Sequence, residues 1–190
     1  MELIGNETVL SFLVKRLSKS KLIDKIIIAI PKNNKNIELK KYINGKKYNL
    51  FEGSENDVLS RYFNAAKKNK ADTIIRITAD CPFHDPVLID NAISLFVKKK
   101  LDFLTNFNPP TFPDGYDFSI IKYNILKKAY DNAFTKFDRE HVVPYIIRSK
   151  KIKKFNIKSN VNLSNIRLTL DEYPDYEFMN KLIKKLKKNF

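Results

Sequence analysis

Two acidic residues stand at or shortly after the ends of largely apolar segments that predict β-strands. Residues 73–77 form a short apolar stretch followed by Asp80, and residues 166–170 form a second stretch that ends at Asp171. Ligands of open α/β sheets bind outside the carboxyl ends of the strands, where two such carboxylates can lie side by side. Carboxylate oxygens with retained waters suit Mg²⁺, which shares incomplete protein sites with substrate phosphates. The pattern therefore favours a magnesium site over a plain turn at Asp80, although Asp is also common in turns.

Several other polar residues are candidates for chemistry. Arg76 lies within the first of these strands and suits a phosphate or a sugar carboxylate. Cys81 and His84 have no evident third orienting group, so packing is favoured over a nucleophilic pair. His141 is equally consistent with an acid–base group and with a polar helix residue. Residues 114–117, after a proline-rich loop, indicate either a substrate contact or an ordinary turn.

The apolar periodicity predicts an α/β protein with one domain over residues 1–190. Asp85 and Pro86 predict the cap and first turn of one of its helices. Alternation of strand and helix over the first hundred residues indicates an open parallel sheet with right-handed crossovers. The predicted strands cover residues 25–30, 48–52, 73–77, 101–105, 117–121, 154–158 and 166–170. The predicted helices cover residues 7–19 with Asn6 as cap, 36–43, 57–68, 87–98, 123–132, 138–148 and 176–188, the last with Phe178, Leu182, Ile183 and Leu186 inward.

Composition narrows the class of protein further. The formal net charge is +15, but six of the 36 basic residues are Arg and the remainder are Lys. We therefore favour a solvated Lys-rich surface, with an anionic small ligand as a secondary cause, over a nucleic-acid binder. The single cysteine excludes an intrachain disulfide framework and a Cys-rich zinc site. No apolar run has the length of a membrane span and no signal peptide is evident, so a cytoplasmic protein without membrane partners is predicted.

Five segments, taken together, resemble one family. GSENDVLSRYFNAA, RITADCPFHDPVLID, FPDGYD, DREHVVPYI and IRLTLDEYPDYEF occur in this order. The combination resembles the cytidylyltransferases of the spore coat polysaccharide SpsF type, relatives of the CMP-sialic acid and CMP-Kdo synthetases. The resemblance runs from about residue 2 to the C-terminus. It implies a Rossmann-like nucleotide-sugar transferase fold, with a mostly parallel central sheet flanked by helices. It also implies CTP as donor, an acidic or modified sugar as acceptor, and a homodimer in which residues 101–121 form a dimer or substrate arm.

The motifs also imply roles for individual residues. By position, Asp80 and Asp171 resemble the Mg²⁺-binding carboxylates of the family, and with Arg76 they are the predicted catalytic residues. On the nucleotide side the resemblance places Arg76, Thr78, Asp80 and Pro82. On the sugar side it places Asp114, Asp117, Arg139, Glu140 and His141.

Two features depart from the family pattern. Family members begin with a strand and a loop of the form QARxxSxRLPGK, which holds the CTP phosphates and base. The present sequence begins just after such a loop, and none of its four glycines offers a substitute phosphate cradle. We therefore expect the first strand to be missing, with the true start upstream of Met1 or the gene broken. The second departure is Ser119, where the family commonly has an acid.

The resemblance thus implies a CTP-dependent nucleotidyltransferase that makes a CMP-activated sugar and pyrophosphate for surface polysaccharide biosynthesis. One alternative is a glycosyltransferase that consumes a nucleotide sugar. Another is a non-catalytic, truncated remnant that binds a partner or pairs with itself.

Overall fold

The protein is described by a computed structural model over residues 3–187. Its first half contains β1 (Leu3–Ile4), β2 (Glu7–Thr8), α1 (Val9–Leu17), β3 (Ile27–Pro31), α2 (Ile37–Gly45), β4 (Asn49–Gly53), α3 (Val58–Lys68), β5 (Thr73–Arg76) and α4 (Pro86–Lys98). The second half contains β6 (Phe103–Thr105), β7 (Ser119–Lys122), α5 (Tyr123–Asn132), α6 (Lys136–His141), α7 (Pro144–Arg148), β8 (Lys154–Asn156) and α8 (Tyr173–Lys187). The predicted α/β class is therefore confirmed.

The larger sheet is mixed rather than mostly parallel in its pairing. Its strand order is β5-β7-β6-β8, and β7 pairs antiparallel with both of its neighbours, whereas β6 and β8 pair in parallel. Three strands therefore run in one direction and only β7 opposes them. The chain enters β7 directly from the loop after β6, and a direct loop permits antiparallel pairing, whereas a parallel neighbour requires a longer crossover.

The sheet is divided between β3 and β5. Among the described residues, β3 pairs only with β4, in parallel, and β5 pairs only with β7. Ile26, just before β3, and Ile75 within β5 nevertheless pack against the same apolar cluster. Within the described residues, β3 and β5 are therefore connected by side-chain packing and not by strand pairing.

Both faces of the larger sheet are covered. Phe103 and Ile121 face a cluster that contains side chains of α3 and α5, whereas Leu104 and Ile120 face a cluster with side chains of α1 and α4. Neighbouring residues of a strand point to opposite faces, which explains this alternation. Full burial of each such side chain contributes about 1.5–3 kcal/mol to folding. The predicted arm over residues 101–121 includes β6 near its start and the beginning of β7 at its end, so only residues 106–118 form a loop between the two strands. The homodimer that the family resemblance implies stays a prediction.

Two helix predictions differ from the structure. The predicted helix over residues 138–148 is split into α6 and α7, because Val142 has a φ of 71° and Pro144 begins the second helix. Proline has no backbone N–H with which to continue the hydrogen-bond ladder of the preceding helix, so a new helix begins at Pro144. The cap of α1 is Thr8 rather than Asn6, since Thr8 Oγ1 accepts from the backbone N–H of Ser11 at 3.1 Å.

The last helix begins three residues before its predicted start. Of the side chains described in this helix, Met179 and Ile183 are buried, whereas Phe178 is 49% exposed, so the prediction that Phe178 faces inward is wrong. The predicted position of Leu186 and the predicted end at residue 188 lie outside what the structure describes. Within residues 3–187, no helix combines the length and the apolar character that crossing a bilayer requires.

Candidate active site

The chain after β5 brings Asp80 next to the segment that leads to Asp171. The backbone N–H of Leu170 donates to the carbonyl oxygen of Asp80 at 2.8 Å, so the two segments are in direct contact. Asp80 Oδ1 is buried and has no hydrogen-bond partner among the described residues. A buried carboxylate oxygen without a partner is unfavourable, so this atom is a candidate ligand for a cation or for a donor group of a substrate.

Residues 166–170 do not form the predicted strand. The N–H of Asp114 donates to Ile166 and the N–H of Leu168 donates to Asp114, at 2.9 and 2.7 Å, whereas Leu170 bonds to Asp80. Because these bonds go to two different segments, they make only an isolated bridge and no continuous ladder. The prediction of a strand is wrong, but this segment still places Asp171 next to the turn after β5.

Arg167 connects three carboxylates around this segment. Its guanidinium donates to Asp171 at 2.6 Å, to Asp175 at 3.1 Å and to Asp114 at 3.2 Å. The hydrogen bond from Arg167, with further bonds from the N–H groups of Asp171 and Glu172, holds the pKa of the Asp175 carboxyl well below its usual range. Charge-assisted bonds of this kind are shorter and stronger than neutral ones. Arg167 therefore fixes the position of Asp171 and Asp114, a role that sequence reasoning missed.

A second group of side chains surrounds Arg76. Its guanidinium lies over the ring of Tyr62, at 5.8 Å from the centroid, and its Nε is buried without a partner in the described residues. In the pairing of β5 with β7, Arg76 stands opposite Ser119, which is fully buried and whose Oγ is also unpartnered. The positive charge of Arg76 also attracts the Asp117 carboxylate and so opposes the other effects that raise the pKa of that group.

Asp117 is an unusually weak acid. Burial and, to a smaller extent, repulsion by the Asp114 carboxylate together raise its pKa from 3.8 to about 6, against the attraction of Arg76. Both acids line a cavity of about 280 Å³ next to the proline-rich loop. The structure therefore brings Asp114 and Asp117 together at one cavity, with Arg76 near them.

The turn that holds Asp80 also holds Thr78, Cys81 and Pro82. The backbone N–H of Cys81 donates to the carbonyl of Thr78 at 3.3 Å. Burial raises the pKa of the Cys81 thiol to about 12, so the group is a neutral thiol at physiological pH and a poor nucleophile. Burial likewise lowers the pKa of His84 to about 4, and neither ring nitrogen has a partner among the described side chains and backbone. A cysteine–histidine pair is therefore absent from this turn, and the packing interpretation of Cys81 fits.

Arg139, Glu140 and His141, predicted on the sugar side, lie on α6 and do not line the cavity. The guanidinium of Arg139 bonds to Asp57, with Nε at 3.0 Å, and to the carbonyl of Tyr130 at 2.7 Å. Asp57 in turn caps α3 by accepting from Ser60 at 2.8 Å. The structure thus places Arg139 in an ion pair that joins α6 to α3, rather than with Asp114 and Asp117.

We expect Arg139→Gln to lower the free energy of unfolding by about 1–3 kcal/mol, because it leaves the partly buried Asp57 without its ion-pair partner. Urea titration followed by circular dichroism measures the change. The neighbouring exposed residue provides a matched control, Glu140→Gln, for which the change should stay within about 0.5 kcal/mol. Equal effects of the two substitutions would contradict a structural role for Arg139.

The fold is that of the Rossmann-like nucleotidyltransferases. The structure resembles a solved cytidylyltransferase from Leptospira borgpetersenii with a TM-score of 0.90 and 31% identity, covering 98% of this chain and 86% of that one. It also resembles a CMP-2-keto-3-deoxy-manno-octonic acid synthetase solved with CTP, with a TM-score of 0.73, covering 97% of this chain and 91% of that one. The sequences of this second pair are 9% identical, so that likeness shows the fold alone.

The chain belongs to the cytidylyltransferase family, whose model matches residues 1–189. It is 35% identical over 190 residues to an uncharacterized protein of Methanocaldococcus jannaschii, covering 98% of this chain and 75% of that protein. It is 26% identical over 195 residues to the spore coat polysaccharide biosynthesis protein SpsF of Bacillus subtilis, covering 96% of this chain and 78% of that protein. These matches confirm the family resemblance that the five motifs indicate.

Proposed function

We propose that the protein transfers the cytidylyl group of CTP to a hydroxyl group of a sugar-type acceptor and releases pyrophosphate. The observation that carries this proposal is the buried, unpartnered Oδ1 of Asp80 at the carboxyl end of β5, in contact with the segment that leads to Asp171. Membership of the cytidylyltransferase family supports CTP as the donor. Similarity to the Bacillus subtilis protein supports a role in making a surface polysaccharide.

Mg²⁺ fits this position. Asp80 offers an oxygen with no protein partner, and Asp171 follows the segment bonded to Asp80, with one of its oxygens bonded to Arg167. The described part of the chain contains no cluster of three or more His, Cys, Asp or Glu side chains that could hold a metal ion alone. Mg²⁺ commonly uses one or two carboxylates and completes its shell with waters and substrate phosphates. When bound, it supplies positive charge that neutralises the phosphate under attack.

The remaining site residues position the two substrates. The unpartnered Nε of Arg76 suits a phosphate oxygen of the nucleotide, since charge-assisted bonds to guanidinium are strong. Thr78 and Pro82 shape the turn on the nucleotide side. Asp114 and Asp117 line the cavity, where their oxygens can accept hydrogen bonds from the acceptor. Positioning of this kind supplies a large part of the rate in transfer reactions of phosphate groups.

In the proposed reaction the acceptor oxygen forms a bond to the α-phosphorus of CTP. The bond from the α-phosphorus to the oxygen that bridges to the β-phosphate breaks, and pyrophosphate leaves with that electron pair. The hydroxyl proton passes to water. The favourable contribution of the site is the preorganised charge around the α-phosphate, which requires little rearrangement during the reaction.

Calorimetric titration of CTP into the 190-residue chain tests the proposal. We expect binding that depends on Mg²⁺ and is at least about tenfold tighter for CTP than for GTP. A glycosyltransferase that consumes a nucleotide sugar would instead bind that nucleotide sugar more tightly than CTP. Failure of the folded protein to bind CTP with Mg²⁺ would refute the proposed activity.

A further inference from the structure

A buried threonine lies between the two halves of the candidate site. Thr169 is 7% exposed, whereas Leu168 and Leu170 on either side of it are only half-buried. The backbone N–H of Leu168 donates to the carbonyl of Asp114 at 2.7 Å, and that of Leu170 donates to the carbonyl of Asp80 at 2.8 Å. Thr169 is therefore the central residue of the segment that joins the cavity beside the proline-rich loop to the turn of Asp80.

The hydroxyl of Thr169 is buried and has no hydrogen-bond partner among the described residues. The two other buried threonines of the chain, Thr8 and Thr105, both have bonded hydroxyls. Thr8 Oγ1 lies 2.7 Å from the hydroxyl of Tyr42, and Thr105 Oγ1 donates to the carbonyl of Phe118 at 3.3 Å. Thr169 is thus the exception among three residues of the same type and of similar burial.

An unbonded hydroxyl at this position is unfavourable for folding. Burying a hydroxyl without a partner costs free energy, and a valine of similar shape would avoid that cost. Both neighbours of Thr169 in the sequence are leucines, so an apolar side chain would suit the local pattern. Residues that break a local rule without a structural gain are expected at functional sites. The hydroxyl of Thr169 is therefore better explained by a role in the site than by packing.

Asp80 offers the complementary atom. Its buried Oδ1 is an acceptor without a partner in the described residues, and the hydroxyl of Thr169 is a donor without one. The hydrogen bonds of Leu168 and Leu170 fix the backbone on both sides of Thr169, so rotation of its side chain is the simplest movement that brings the two atoms together. Hydrogen bonds in active sites are often long without a ligand and shorten when it binds.

We propose that Thr169 is a positioning residue, whose hydroxyl donates to the Asp80 carboxylate when that carboxylate binds Mg²⁺ together with CTP. This inference rests on the proposed function and adds a residue to its site. Carboxylates that bind metal ions are usually held by further hydrogen bonds, which fix their orientation. Arg167 already holds Asp171 in this way, and Thr169 would do the same for Asp80. A neutral hydroxyl holds the carboxylate without adding a positive charge that would repel the cation.

The substitution Thr169→Val removes the hydroxyl and keeps the shape of the side chain. CTP is titrated into the 190-residue chain by calorimetry at a series of Mg²⁺ concentrations. We expect the Mg²⁺ concentration for half-maximal CTP binding to rise at least about tenfold for Thr169→Val, and to stay within about twofold for Thr169→Ser, which keeps the hydroxyl. Equal Mg²⁺ requirements of these two variants would overturn the inference.

Urea titration of the same variants separates this role from a structural one. Because the Thr169 hydroxyl has no partner in the described residues, Thr169→Val should unfold at the same urea concentration as the unsubstituted chain or at a higher one. The control is Thr8→Val, which removes a bonded hydroxyl that also caps α1, and which should lower the urea midpoint but leave the Mg²⁺ requirement unchanged. A lower midpoint for Thr169→Val would show that the hydroxyl stabilises the fold and would overturn the inference. Failure of the folded, unsubstituted chain to bind CTP would instead refute the proposed function, on which the inference rests.

Discussion

Replacing Asp80 with Asn is expected to lower turnover by at least about a hundredfold while leaving the fold intact. The substitution keeps the shape of the side chain but removes the charge of a carboxylate whose buried Oδ1 has no partner in the described residues. A neutral amide is a poor ligand for Mg²⁺ and cannot offset the positive charge required at the α-phosphate. Release of pyrophosphate from CTP, with the acceptor present, measures the effect.

The stability of the same variant distinguishes a catalytic role from a structural one. Because Asp80 Oδ1 is buried without a partner, the carboxylate costs free energy in the ligand-free protein. We therefore expect the free energy of unfolding of Asp80→Asn to be equal to or higher than that of the unsubstituted chain, a common trade between stability and function at active sites. Unchanged turnover, or lost turnover that follows unfolding, would contradict the role assigned to Asp80.

Most of the local structure could be predicted because it depends on nearby residues. Asp85 caps α4 as predicted, since its Oδ1 accepts from the N–H of Val87 at 2.8 Å and Pro86 occupies the first turn. Helix α5 has the predicted bounds, Tyr123–Asn132, because its buried residues recur at helical spacing. Strand β3 could be predicted from the continuous apolar run over residues 26–30, which is typical of a strand with both faces covered.

The errors arise where distant residues decide the structure. Residues 166–170 have the apolar pattern of a strand, but their partners are Asp114 and Asp80, which no local pattern identifies. Arg139 belongs to a motif shared with the family, yet its partner Asp57 lies more than eighty positions earlier, on another helix. The antiparallel direction of β7 likewise depends on the path of the loop before it. Sequence reasoning therefore predicts local elements more reliably than the distant contacts that hold them together.

The Arg167 cluster shows that a usable signal can be missed. Arg167, Asp171 and Asp175 are spaced by four residues, which usually indicates ion pairs along a helix. Here the spacing spans an extended segment and the start of α8, and the same ion pairs form across a turn. The functional consequence is that a residue outside the predicted site orients two residues within it.

Replacing Gly115 with Ala is expected to lower the free energy of unfolding by about 2–4 kcal/mol and to weaken catalysis as well. Gly115 has a φ of 100°, and a Cβ added there would lie 2.5 Å from the carbonyl carbon of Leu168 and 2.9 Å from the nitrogen of Thr169. Both are backbone atoms, so relief requires the loop or the segment 166–170 to move. Chemical denaturation measures the loss, and Gly45→Ala is the matched control because nothing lies within 4 Å of the added Cβ.

The same clash links this glycine to the site. The segment that would be displaced carries the N–H of Leu170, which bonds to Asp80, and ends at Asp171. The opposite side of the contact carries Asp114 and Asp117, so a shift of either segment separates the proposed metal ligands from the acceptor cavity. We therefore expect the fraction of Gly115→Ala that remains folded at low temperature to bind CTP with Mg²⁺ less tightly and to turn over at least about tenfold more slowly. Normal turnover per folded molecule, with only the stability reduced, would show that the close approach serves folding alone and that the site tolerates this displacement.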